Sequence, residues 1–183
     1  MNEIRYETRI SSIDKNLPTI FLAGPTVRGN QQHLQPSWRF EACKYLREFG
    51  FNGNVIIPEF TDVAQSDKGE EDWIVPWEME GMMKADLILF WVPRSKELIG
   101  LNTNFELGYW LGNRPEKVVY GRPEGSYRTK YLDIMFNVYG DDFEIIYDNL
   151  KGLCEHVYNC LDAPREQYFE LEKELSERKE LQI

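Results

Sequence analysis

Residues 101–113 read LNTNFELGYWLGN, and Glu106 is the one charged side chain among them. Its neighbours Phe105, Leu107, Tyr109, Trp110 and Leu111 are of the types that become buried surface. A carboxylate in that company loses hydration, a cost offset only by hydrogen bonds, a counter-charge or a proton. Two readings compete. In the first, Thr103-Asn104-Phe105-Glu106 is a capping box in which Thr103 caps a helix and Glu106 bonds back to the cap amide. That arrangement is worth ~1 kcal/mol and involves no chemistry. In the second, Glu106 lies in the first turn of a helix, where free amides and the helix dipole favour its ionised form. A desolvated carboxylate of fixed geometry suits a nucleophile. Apolar residues on both sides favour the second reading, because a bystander on a cap faces water.

The elements that must position this acid follow from the hydrophobic pattern. TIFLA at 19–23 is a short apolar run ending in Gly-Pro, a strand followed by a turn. Trp38, Ala42, Tyr45, Leu46 and Phe49 share one helical face, with Pro36 before it and Gly50 after. NVII at 54–57, DLILFWV at 86–92, KVVY at 117–120 and FEIIY at 143–147 read as further strands. The run at 86–92 lacks polar alternation, so both of its faces should be covered. Helices are expected at 73–85, with Pro76 in the first turn, at 103–112, at 126–136, and from a cap at Asp148 to about Leu161. Pro164 opens a last, highly charged helix with Tyr168, Leu171 and Leu175 along one stripe.

Strands alternating with helices imply a doubly wound, flavodoxin-like α/β domain with a five-stranded parallel sheet and helices on both faces. The expected organisation is an N-terminal arm or edge strand over 1–18, an α/β domain over 19–162, and a charged helix over 163–183. That helix packs on the domain or on a neighbouring subunit. In such sheets ligands sit beyond the carboxyl ends of the strands, where the strand order reverses. The loops at that end are Gly24-Pro25-Thr26, Pro58-Glu59, 93–104 and Gly121-Arg122-Pro123. Asp86 begins its strand at the opposite end and reads as structural.

Bulk properties narrow the function. The 42% hydrophobic and 28% charged content is that of a globular chain, and no apolar run nears the roughly 18 residues a bilayer span requires. The net charge of −10 opposes binding to a nucleic-acid polymer, which needs a basic surface; a single nucleoside is not excluded. His33 and His156 have no companions at metal-ligand spacing, so no metal site is expected, and no GxxxxGK[ST] or GxGxxG loop is present. The opening MNEIRYETRISS lacks the apolar core of a signal peptide. Cys43, Cys154 and Cys160 form no CxxC, which points to reduced thiols in a cytoplasmic protein. The acidic cluster Asp67, Glu70, Glu71 and Asp72 reads as a solvated loop.

The ordered set TIFLAGPT, the helix from Trp38, PWEMEGMMKADLILFWVP, TNFELGYWLG and KVVYGRPE resembles the nucleoside 2-deoxyribosyltransferases over residues 19–135. The likeness is to a branch with FLAGP after the first strand and TNxELGxWLG at the nucleophile helix. The resemblance implies cleavage of the N-glycosidic bond of a 2′-deoxynucleoside, with the sugar held as an ester on a glutamate and then passed to another base. That glutamate falls on Glu106. A second carboxylate that engages the departing base falls on Glu78, where the family usually has Asp. The family's strand-1 Tyr is replaced by Phe21, and Gly100 stands where an Asp would hold the sugar 5′-hydroxyl. Asn104 or Arg122 are the candidate substitutes, Arg122 also for a 5′-phosphate. The resemblance implies no cofactor, and implies a homo-oligomer in which Tyr131 or Asp133 of a neighbour reaches across.

The mechanism implied is a double displacement with retention at the anomeric carbon. Gly24 lets the backbone approach the sugar, and Pro25 stiffens the turn. Water must be excluded, for which Trp77, Trp91 and Trp110 are candidate walls, with Trp91 better read as core. The partners are then a nucleoside and a free nucleobase. The competing readings are a nucleoside or nucleotide N-glycosidase, with water as acceptor to the same Glu106, and a non-catalytic nucleotide-sensing module in which Glu106 only caps its helix.

Overall fold

The computed structural model describes residues 1–26, 36–62, 72–140 and 146–162. Five parallel strands, β1 (Asn2–Ile4), β2 (Thr19–Ala23), β3 (Asn54–Ile56), β4 (Leu87–Trp91) and β5 (Val118–Gly121), lie in the order β1-β3-β2-β4-β5. The chain steps from β2 outward to β3 and then crosses back to β4 on the other side of β2. The order therefore reverses between β2 and β4, and the crevice of this flavodoxin-like fold opens at their carboxyl ends.

Among the described residues five α-helices cover the sheet: α1 (Trp38–Glu48), α2 (Ile74–Lys84), α3 (Leu101–Asn113), α4 (Lys130–Tyr139) and α5 (Leu150–Asp162). Side chains of α2, α3 and α4 share one core with Phe21, Ile88, Phe90 and Tyr120, while α1 and α5 share another with Ile20, Leu22, Val55 and Leu89. Alternate residues of β2 and β4 thus enter opposite cores. This is why both strands read as unbroken apolar runs.

Several boundaries differ from the sequence expectation for physical reasons. The fifth strand is N-terminal: Asn2–Ile4 pairs with β3, and Ile57 donates to the Ile4 carbonyl at 2.8 Å. Residues 143–145 of the expected last strand lie outside the described residues, and Tyr147 makes an isolated parallel bridge to Gly121 beside β5. Helix α5 is capped by Asn149, whose Oδ1 accepts from the Gly152 amide at 2.7 Å, and not by Asp148, whose Oδ1 accepts from the Asn149 side chain. Helix α4 begins at Lys130, four residues later than expected. The helix expected from Pro164, together with His33, Asp67, Glu70 and Glu71, lies outside the described residues. Asp86 is structural, accepting from the Thr19 amide at 2.8 Å.

One backbone crossing holds β2 against β4 at the crevice. Gly24 leaves β2 at φ 148°, and a Cβ there would stand 2.1 Å from the Trp91 carbonyl oxygen and 3.0 Å from the Trp38 ring. Gly24→Ala is expected to cost about 3 kcal/mol in urea unfolding, through clash and backbone strain. A loss under about 1 kcal/mol would contradict this packing.

Candidate active site

The crevice holds a cavity of ≈ 350 Å³ whose wall includes Gly24, Pro25, Arg39, Glu78 and Glu106. Its apolar lining comes from Phe21, Ala23, Pro58, Leu98 and Leu101. The volume is in the range of small-molecule sites.

Glu106 reaches this wall because of how α3 starts. Gly100 adopts the left-handed conformation, φ 57° and ψ 63°, and a Cβ on it would lie 2.7 Å from Pro25 Cγ. The β2 loop therefore packs directly on the residue before the helix, and α3 begins at Leu101, two residues earlier than the sequence pattern indicates. Thr103 is buried inside the helix, and no side chain caps its start. The capping-box reading is thereby overturned. Glu106 is the sixth helical residue, beyond the turn where the dipole acts most strongly. The expectation of a ready anion changes with it: burial, then the charge of Glu78, raises the Glu106 carboxyl to about 7, and the Arg39 guanidinium opposes this.

Glu78 comes from α2, which lies close on β2 because Gly81 has no side chain. A Cβ at Gly81 would be 2.9 Å from the Phe21 ring. Tyr6, from the N-terminal segment, donates its hydroxyl to Glu78 Oε1 at 2.5 Å. Two carboxylates from different helices thus open on one cavity.

Arg39 was not singled out from the sequence, yet its side chain is 2% exposed and lines the cavity. Its Nε donates to the Leu22 carbonyl at 2.9 Å and Nη2 to the Gly24 carbonyl at 2.7 Å. Nη1 donates to Thr26 Oγ1 at 3.1 Å and to Glu59 Oε1 at 2.8 Å. Arg39 therefore clamps the end of β2 to the loop after β3, and Glu59 is its counter-ion. The available signal was the spacing of Arg39, Cys43 and Leu46, which puts a cation on the buried face of α1.

Three expected substrate-binding residues stand elsewhere. Trp77, on α2, is buried, and its Nε1 donates to the Thr8 carbonyl at 3.0 Å. Asn104 is exposed on α3 and accepts from Arg94 Nη2 at 2.8 Å. Arg122 makes a bidentate pair with Asp133, at 2.9 Å from Nε and 2.8 Å from Nη2. Tyr120 donates to the same carboxylate, so Asp133 is fully engaged within its own chain. Trp91 and Trp110 are core residues, the latter donating to Met82 Sδ. Among the described residues, Phe21 is the aromatic side chain on the cavity wall. Asn102 and Thr103 line it instead of Asn104, a two-residue offset that follows from the early helix start.

The family model described as nucleoside 2-deoxyribosyltransferase like matches residues 17–124. The chain belongs to that family. No curated protein matches the chain. The nucleoside 2-deoxyribosyltransferase-like segment runs from β2 to the loop after β5, and so includes Arg39, Glu78 and Glu106. Tyr6 and helices α4 and α5 lie outside it. Membership in this family points to a nucleoside-acting protein with small-molecule ligands, and no helix among the described residues is long and apolar enough to cross a membrane.

Between its ordinary value of 4.5 and about 7, Glu106 keeps in the folded state a proton that the unfolded chain has released. Stability therefore falls as pH rises through that window. Glu106→Gln removes the penalty, and urea unfolding at pH 8 should show a gain of roughly 2–3 kcal/mol that shrinks toward zero near pH 4.5. Equal effects at the two pH values would contradict the burial of this acid.

Proposed function

We propose that the protein transfers a 2-deoxyribosyl group between nucleobases. The observation that carries this reading is the pairing of Glu106 and Glu78 on one cavity in a chain of this family. In the first half-reaction Glu106 attacks C1′ of a 2′-deoxynucleoside, forming an Oε–C1′ ester bond. The glycosidic C1′–N bond breaks, its electron pair goes to the base, and Glu78 or water supplies the proton. In the second half-reaction another base attacks C1′ from the face the first one left, its N–H proton passes to Glu78 or water, and the ester bond breaks to return Glu106 as carboxylate. Two inversions give net retention. The free thiols of Cys43, Cys154 and Cys160 suit a reducing, cytoplasmic setting.

The reaction needs Glu106 as the anion and Glu78 as the acid, so a Glu106 raised to about 7 must first lose its proton or pass it to Glu78. Loss of the Glu106 proton sets the acid limb of the rate. With deoxyinosine and free adenine, kcat/KM is expected to rise about tenfold per pH unit below about pH 7 and then level or fall. Release of free sugar at the same rate with and without adenine would mark the protein as an N-glycosidase. Glu106→Ala should abolish both products, and retention of turnover in that variant would overturn the assignment.

We also propose that α3 and α4 join a second copy of the chain. Leu101 and Phe105 on α3 are 72% and 71% exposed, and Tyr131 on α4 is 70% exposed, with Ile134 and Val138 beside it. Together with Tyr109 they present on the order of 700 Å² at the ~150–250 Å² that a large side chain carries. This approaches the ~800 Å² per partner of a standard interface. Helix α3 has no basic residue, and its single acid faces the cavity, so two copies of a −10 chain can meet there without charge repulsion. Gly108 and Gly112 lie on the stripe of Leu101 and Phe105, and a Cβ on either would touch nothing among the described residues. Each costs about 1 kcal/mol of helix stability that internal packing does not explain. Light scattering at micromolar concentration should give a dimer or larger assembly, and Phe105→Glu a monomer. A monomeric wild type would contradict the proposal.

A further inference from the structure

Glu78 is held by a residue from outside the family segment. The N-terminal residues reach it because β1 pairs with β3 and Ile10 and Ile13 are buried in the core that contains α2. Between those anchors three aromatic rings pack on the half-buried Tyr6. Its ring lies 4.9 Å from Phe60, 4.9 Å from Trp77 and 5.7 Å from Trp73, and the Tyr6 amide donates to the Glu59 carbonyl at 3.4 Å. Trp77 is in turn tied to the Thr8 carbonyl. The Tyr6 hydroxyl donates to Glu78 Oε1 at 2.5 Å, a separation typical of hydroxyl-to-carboxylate bonds.

That bond answers a problem posed by Glu78. A glutamate has one more rotatable bond than an aspartate, and rotamer freedom blurs the aim of a proton donor that must be placed to within a fraction of an ångström. It also sits near Glu106, whose charge repels it. A hydroxyl that donates to Oε1 restricts the rotamers open to the Glu78 carboxyl group. Tyr6 does not line the cavity, so it touches no reacting atom.

We propose that Tyr6 is a positioning residue that aims Glu78 at the leaving base, a site component supplied by the N-terminal segment and not by the family core. This rests on the role given to Glu78 in base departure. The proton moves from the Glu78 carboxyl to the base nitrogen as C1′–N breaks, and the Tyr6 O–H bond is intact before and after.

Tyr6→Phe keeps the aromatic contacts and removes only the hydroxyl. Two substrates separate aim from architecture: deoxyinosine, whose base needs a proton to leave, and a nitrophenyl 2-deoxyriboside, whose phenolate leaves without one. In the full chain, Tyr6→Phe is expected to lower kcat on deoxyinosine about 10–100-fold, with KM little changed, and to alter the nitrophenyl substrate by less than about threefold. Equal losses on both substrates, or no loss on either, would overturn the proposal. A second readout does not depend on turnover. Among the described residues, Tyr6 and Glu106 act on Glu78, and Arg39, paired with Glu59, acts on Glu106. Carboxyl 13C NMR should show the Glu106 midpoint falling in Tyr6→Phe, since a Glu78 without its donor takes a proton more readily and repels Glu106 less. An unchanged midpoint overturns the Tyr6 bond itself. If the wild type turns over neither substrate while the midpoint moves, it is the transferase reading that fails.

Discussion

Two carboxyl groups facing one small cavity repel each other and lose water, and the rest of the site is arranged around that cost. Glu106 carries its consequence most plainly, with a carboxyl raised to about 7 by burial and by Glu78. Arg39 is the cation that moderates it, and Arg39 is itself immobilised by two carbonyls, a hydroxyl and Glu59. A site that can hold one proton between two acids near neutral pH has a base and an acid available together. The proposed displacement of a nucleobase through a covalent ester requires such a pair.

The scaffold meets this requirement through close approaches. The Trp91 carbonyl fills the space of a missing Gly24 side chain, and Pro25 fills that of Gly100. These contacts set the end of β2 against the end of β4 and fix where α3 begins, which in turn decides that Glu106 faces the cavity. Phe21 against Gly81 does the same for α2 and Glu78. The N-terminal segment then closes the back of α2 with Tyr6 and Thr8. Glu106 and Glu78 thus stand on two helices, α3 and α2.

Much of this was legible in the sequence. The apolar runs of β2, β3, β4 and β5 and the helix faces gave the α/β class, because burial on both sides of a parallel sheet leaves a distinct pattern. Glu106 stood out as a lone acid among apolar residues, and Glu78 followed from the ordered motifs. What stayed hidden depends on contacts distant in the chain. The Thr103-x-x-Glu106 pattern fits a capping box locally, but the packing of Pro25 on Gly100 starts the helix earlier and buries Thr103. Tryptophans looked like cavity walls by type, whereas Trp77 and Trp110 satisfy their indole N–H groups inside the core. Arg122 looked available beside the crevice because nothing local reveals Asp133, eleven residues on, as its bidentate partner. Tyr6 was unreadable for the same reason: its partner lies 72 positions away.

The most direct measurement is intact-protein mass spectrometry after acid quench of a brief reaction with a 2′-deoxynucleoside, followed by peptide mapping. The account predicts a mass gain of one deoxyribosyl residue, carried by the peptide that contains Glu106. Unmodified protein during steady product formation, or sugar attached to any other residue, would contradict it.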